Sequence, residues 1–320
     1  MAIDFKNNLR NNEEIESTLN NLIDSNSLSN AYIFYGPSGI GKKETALTFI
    51  SKIIHKNSSD QTINQKIEDN NYPDYLFIEP TYLIQGKLVN RSAYNSNKNS
   101  QNKALIRIDQ IRGIRKFISR KAIESNKKFV LIQNADLLNE AAANCLLKTL
   151  EEPTNGVFIL TTSKIHLLLD TITSRCHKIR FKPLAKEDIR TYIEEYSKDL
   201  NENLDSILYL DELIEISDGS PQKIIDNINI WSQISQETKE AINLPPINSI
   251  QSLLLAEKIS SELEINQQLL LLDIMQNLWW KKTKKKNLID LLETLRMHLE
   301  SFSQARLSWE AILLKISMKK

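Results

Sequence analysis

The chain has 320 residues, 41% hydrophobic and 25% charged, and its 41 Lys+Arg against 40 Asp+Glu give a formal net charge of +1. That composition suits a globular chain of two or three domains, and the near-neutral balance excludes a strongly basic nucleic-acid-coating protein while allowing local basic patches. With 2 cysteines and 4 histidines there is no four-cysteine zinc site and no disulfide framework; no apolar run is long enough to span a bilayer and Met1–Arg10 lack a signal-like stretch, so a cytoplasmic location is expected.

Residues 13–24 read as a short amphipathic helix with Ile15, Leu19, Leu22 and Ile23 on one face. The run Ala31-Tyr32-Ile33-Phe34-Tyr35 reads as a strand, and a helix carrying Ala46, Leu47, Phe49, Ile50 and Ile53 follows after a glycine loop. That loop, Gly36-Pro37-Ser38-Gly39-Ile40-Gly41-Lys42, fits the phosphate-binding pattern G-x-x-x-x-G-K. Glycines let backbone N–H groups turn toward phosphates, the helix N-terminus adds its dipole, and the lysine reaches the terminal phosphates. Gly36, Gly39, Gly41 and Lys42 are therefore candidate ligands of ATP or ADP, with occupancy left open. The magnesium-binding hydroxyl expected next is replaced by Lys43. Thr45 cannot take its place, because two steps along a helix turn it by roughly 200°.

The stretch 56–71 is polar, Tyr75–Ile78 reads as a strand, and the Asn- and Ser-rich stretch 90–103 reads as a flexible loop. A helical period over 106–123 carries Arg107, Arg112, Arg115, Lys116, Arg120 and Lys121. Two readings stand for it, a solvated face or a surface for DNA phosphates. Short apolar runs at Phe129–Ile132, Val157–Thr161 and Lys178–Phe181 alternate with helical patterns, which predicts an α/β fold with a parallel sheet covered on both faces. At the end of Phe129–Ile132, where an ATPase needs an aspartate for magnesium and a glutamate to orient water, stand the neutral amides Gln133 and Asn134. Asp136, beyond the strand, reads as a turn or helix cap, and Thr162 as the end of the fourth strand. Hydrolysis by this chain alone is not expected.

Three or so short helices are predicted over 186–232, with a turn at Asp218-Gly219-Ser220-Pro221, and Pro245-Pro246 marks a second boundary. The expected domains are a P-loop domain over 1–183, a helical lid over 184–240 and a helical collar over 241–320. The collar's leucines and isoleucines suit either an internal core or an intersubunit seam. Trp279-Trp280-Lys281-Lys282 and the lysines after them read as core tryptophans followed by an interhelical loop, in preference to a single-strand-binding patch. Cys145 and Cys176 read as small buried hydrophobes.

One long segment carries a resemblance. Ala135-Asp136-Leu137-Leu138-Asn139-Glu140 through Leu146-Leu147-Lys148-Thr149-Leu150-Glu151-Glu152-Pro153, followed by Ser174-Arg175-Cys176, is similar to the clamp-loader branch of AAA+ proteins. Asn30-Ala31-Tyr32, Tyr72-Pro73-Asp74 and Ile108-Asp109-Gln110-Ile111-Arg112 fit the same template. The resemblance implies a five-stranded parallel AAA+ sheet, a lid and a collar, in a hetero-oligomer that places a sliding clamp on primed DNA for the bacterial DNA polymerase III holoenzyme. The implied partners are ATPase subunits of the tau/gamma type, a delta-type subunit, primer-template DNA within the complex and, indirectly, the clamp. It also implies that Arg175, flanked by Ser174 and Cys176, reaches a neighbour's nucleotide as an arginine finger. The alternative is a surface arginine paired with a carboxylate of its own chain. An ATP-hydrolysing motor subunit of the same loader is the alternative function, disfavoured by Lys43, Gln133 and Asn134. The chain departs from many relatives in having no four-cysteine zinc module, and it carries Gln222 where an ATP-sensing arginine would stand.

Overall fold

The computed structural model describes residues 10–25, 27–56, 62–84, 86–93, 103–152, 155–200, 207–301 and 304–318. Most of the flexible loop expected over 90–103, and Pro153 of the Glu-Glu-Pro ending, lie outside them. The chain divides into two units, Met1–Pro183 and Leu184–Lys320.

In the first unit the elements are α1 (Arg10–Asp24), β1 (Ala31–Tyr35), α2 (Lys42–His55), α3 (Ile63–Glu68), β2 (Tyr75–Ile78), β3 (Thr81–Ile84), β4 (Lys87–Asn90), α4 (Ile108–Ile118), β5 (Lys128–Ile132), α5 (Glu140–Glu151), β6 (Gly156–Thr162), α6 (Asp170–Thr173) and β7 (His177–Arg180). The five expected apolar runs form one sheet in the order β2-β5-β6-β1-β7. All its pairings are parallel. Alternate residues point to opposite faces, and both faces are apolar because both are covered. Tyr32, Phe34, Phe129, Leu131 and Ile159 pack with Leu19 and Ile23 of α1 and Phe49 and Ile50 of α2. Ile33, Val130, Ile132, Phe158 and Leu160 pack with Ile111 and Ile114 of α4 and Ala142 and Leu146 of α5. At the sheet edge β7 buries only Ile179 and exposes His177, Lys178 and Arg180, and the lysine and arginine charges discourage pairing with another strand.

Three features depart from the sequence expectation. The polar stretch holds α3, whose Ile63 and Ile67 are buried one helical turn apart. An antiparallel hairpin, β3–β4, turns at Gly86, whose φ is 77°. The basic helix is shorter than 106–123: Ile106 bridges to Leu138, and Arg107 is extended. Past its end the chain is held by Asp74, whose carboxylate is fully buried and accepts the N–H groups of Ile123, Glu124 and Ser125 and the Ser125 hydroxyl.

The second unit consists of α7 (Lys186–Leu200), α8 (Leu210–Ile216), α9 (Pro221–Ser232), α10 (Gln236–Ala241), α11 (Ser249–Glu262), α12 (Ile265–Thr283), α13 (Lys286–Glu300) and α14 (Ala305–Met318). Ser220 caps α9 by accepting the Lys223 N–H, with Pro221 in the first turn, and Asp218 and Gly219 take the left-handed backbone that the turn needs. Trp231, Trp279 and Trp309 are buried, and their indole N–H groups donate to Leu208 O, Ile242 O and Gln268 Oε1 at 2.7, 2.8 and 2.8 Å. Trp279 is thus a core residue, as expected. Trp280 is half-exposed under the Lys284 ammonium, and Lys281 pairs with Glu212 and Glu215. On α11, Leu255 and Ile259 are buried, whereas Ile250, Leu253 and Leu254 face outward. No helix among the described residues is long and apolar enough to cross a membrane.

Candidate phosphate loop and arginine site

The loop follows β1 directly and ends where Gly41, with φ 88°, serves as the N-cap of α2. Gly39 also takes a left-handed conformation, at φ 71°. Gly36 is needed for a different reason. At φ 153°, a Cβ there would stand 2.3 Å from the Phe181 carbonyl oxygen, so this glycine lets the chain leaving β7 pass against the loop. Gly36→Ala is expected to destabilise the first unit by about 3 kcal/mol, because a backbone atom must shift. A differential scanning calorimetry trace of the variant matching wild type would contradict that close approach.

Lys42 is buried, and its Nζ donates to Gly36 O at 2.8 Å and to Pro37 O. Burial pushes its pKa down to about 8, against the opposing charges of Asp136 and Glu44. Asp136 bonds across to the end of β6, which corrects its reading as a cap. Asn134, in a left-handed conformation at φ 54°, turns the chain after β5, and the Asp136 carboxylate accepts the Thr162 hydroxyl at 2.6 Å. Thr162 in turn accepts the Lys164 N–H at 3.0 Å. The signal for this link was a carboxylate four residues past a strand end, which only the Asn134 turn brings back.

The two halves of a nucleotide site fit unequally. The glycine turns, the start of α2 and Lys42 suit phosphate oxygens. The metal half does not fit: the Lys43 ammonium lies 4.7 Å from the centroid of the Phe77 ring, and Gln133 and Asn134 supply no carboxylate. No group of three or more His, Cys, Asp or Glu placed to hold a metal occurs among the described residues.

Arg175 lies elsewhere. Register pairs Tyr32, near the start of β1, with His177. Arg175 precedes β7 by two residues, and β1 and β7 run parallel, so it sits at the N-terminal edge of the sheet, whereas the phosphate loop leaves the C-terminal edge of β1. At a rise of about 3.3 Å per residue, the length of β1 is roughly 16 Å, so the two candidate sites are not brought together. The Arg175 side chain is 38% exposed, and its guanidinium donates to Glu151 Oε1 at 2.7 Å and to Thr171 O at 2.9 Å. The own-chain carboxylate pairing is thus the arrangement observed. Its neighbours do not compete for the role. The Ser174 hydroxyl donates to Thr171 O, and Cys176 is buried, its thiol pushed up to about 12 by that burial. Cys145 is only partly buried.

Glu152 binds Arg115 at 2.6 Å, so each carboxylate of the Glu-Glu pair ending α5 holds one arginine. Carboxylates at a helix C-terminus oppose the helix dipole, and these two are instead engaged across elements. Of the basic stretch, Arg107 turns inward to Thr81 O at 2.7 Å and leaves the surface set. Arg112 pairs with Asp109, and Lys116, Arg120 and Lys121 are exposed. In the second unit Gln222 donates to Asp226 Oδ1 at 2.8 Å.

A parallel sheet in this order, with a glycine loop of the G-x-x-x-x-G-K pattern between β1 and α2, is an α/β domain of the P-loop type. Residues 11–185 match the family described as DNA polymerase III, delta subunit, and the chain belongs to that family. Residues 196–316 match the family described as cyanobacterial DNA polymerase III delta prime, C-terminal domain. The chain is 31% identical over 195 residues to DNA polymerase III subunit delta' of Bacillus subtilis, covering 59% of this chain and 53% of that protein. It is 30% identical over 155 residues to the delta' subunit of Pseudomonas aeruginosa, covering 46% and 42%. With the tau subunit of Bacillus subtilis it shares 27% identity over 248 residues, covering 70% and 40%. The matched regions thus span about half or less of these relatives' lengths.

Proposed function

We propose that this chain is a delta'-type subunit of a DNA polymerase III clamp loader, one that does not hydrolyse ATP itself and lends Arg175 to the nucleotide site of a neighbouring subunit. The observation that carries the reading is the separation of Arg175 from its own phosphate loop by the length of the sheet. An arginine at that edge cannot serve its own loop but is exposed toward whatever subunit abuts it. The loss of the metal half, with Lys43 on Phe77 and amides at 133 and 134, speaks against the motor-subunit alternative. In this reading 184–240 acts as a lid and 241–320 as a collar joining the ring, with tau/gamma-type and delta-type subunits as partners. Primer-template DNA is met within the complex, and the clamp indirectly.

Reconstitution tests it. A loader assembled from the tau/gamma-type and delta-type subunits of the same organism is expected to place the clamp on primed DNA only when this chain is included. Full loading without it would overturn the reading, and magnesium-dependent hydrolysis by the isolated chain would restore the motor alternative.

A further inference from the structure

We propose that Glu151 is a positioning residue that restrains Arg175, holding the guanidinium against its own chain until a neighbour's phosphates compete for it; this rests on the finger reading above. Both terminal nitrogens of Arg175 are engaged in cis, one on Glu151 Oε1 and one on Thr171 O. Thr171 is four residues back on the same segment, so the side chain folds back along α6 rather than projecting from it. The carboxylate also neutralises the charge that a finger must present to a developing phosphoryl anion.

The restraint is built to be weak. Arg175 and Glu151 side chains are 38% and 52% exposed, and solvent-screened pairs of this kind shift an equilibrium by only about 1.5- to 5-fold. A nucleotide phosphate, with more charge than one carboxylate and able to accept two parallel N–H bonds, outcompetes such a partner. Ligand binding next door can therefore draw the arginine away, and its absence returns it. Glu152 is adjacent in sequence, equally exposed at 52%, and bound to Arg115 instead. It supplies a matched control at the same helix end.

The experiment compares Glu151→Gln, Glu152→Gln and Arg175→Ala in the reconstituted loader, read as single-turnover ATP hydrolysis without clamp or DNA, at low and high salt. Glutamine keeps the side-chain volume and removes the charge. The expected result is a rise of about 1.5- to 5-fold for Glu151→Gln at low salt, shrinking as salt screens the wild-type pair, with Glu152→Gln unchanged. A structural defect at the end of α5 would lower turnover, so a gain reads release of the arginine. Unchanged turnover, a fall, or an equal rise in Glu152→Gln would each overturn the restraint. Should Arg175→Ala leave hydrolysis unaltered, the finger reading itself fails, a result distinct from failure of the restraint alone.

Discussion

Arg175→Ala is expected to reduce hydrolysis at the adjoining subunit's nucleotide site by about 10³-fold or more, the range in which trans-supplied arginines act in other NTPases. Assembly should be unaffected. Within its own chain the side chain contributes one exposed ion pair and one backbone contact, together worth about 1 kcal/mol or less. The measurement is single-turnover hydrolysis by a loader in which the adjoining site is the sole competent one, with size-exclusion chromatography to verify the complex. Hydrolysis within twofold of wild type would leave the chain a scaffold. Arg175→Lys should fall nearly as far, because an ammonium cannot make the paired, planar contact of a guanidinium.

A stability effect as large as that of Gly36→Ala is expected at Asp74, away from both candidate sites. Its buried carboxylate accepts three backbone N–H groups and one hydroxyl from residues 123–125. Asp74→Asn keeps the shape, removes the charge and turns an NH2 group toward donors, so no cavity forms and the loss reads acceptance alone. About 3 kcal/mol of the first unit's stability should disappear. The pH dependence follows from the same bonds. Burial raises the carboxyl's pKa, but the N–H donors of Ser125, Ile123 and Glu124 outweigh it and hold the group below its ordinary 3.8. A depressed acid contributes fully above its unfolded value and loses that contribution as pH falls through the folded one. The gap between wild type and Asp74→Asn, followed by urea unfolding, should stay constant near neutrality and close only below about pH 4. A gap that widens as pH falls below about 4 would contradict the assignment.

The sheet was legible because each strand is a short apolar run and both faces are covered, so burial needed no partner beyond the pattern itself. The phosphate loop was legible because its glycines and lysine are local. The hairpin β3–β4 escaped because its strands are 4 residues each and half exposed, too little apolar alternation to register. Arg107 looked like part of a basic face until its extended backbone carried it out of the helix and onto Thr81. Asp74 stood in the Tyr72-Pro73-Asp74 motif with no hint that its partners lay some fifty positions away.

Chain order and side-chain chemistry by themselves determined the parallel α/β architecture, the phosphate loop and the missing metal-binding groups, since these depend on local pattern and on which atoms a residue carries. Tertiary structure alone decided which carboxylate each arginine meets, that Asp136 accepts the Thr162 hydroxyl rather than capping a turn, and that Gly36 makes room for Phe181. It also set the phosphate loop and Arg175 at opposite ends of one sheet. Those facts depend on register and crossover between segments distant in sequence, and a hydrogen bond or ion pair is decided by where two chains are brought within about 3 Å.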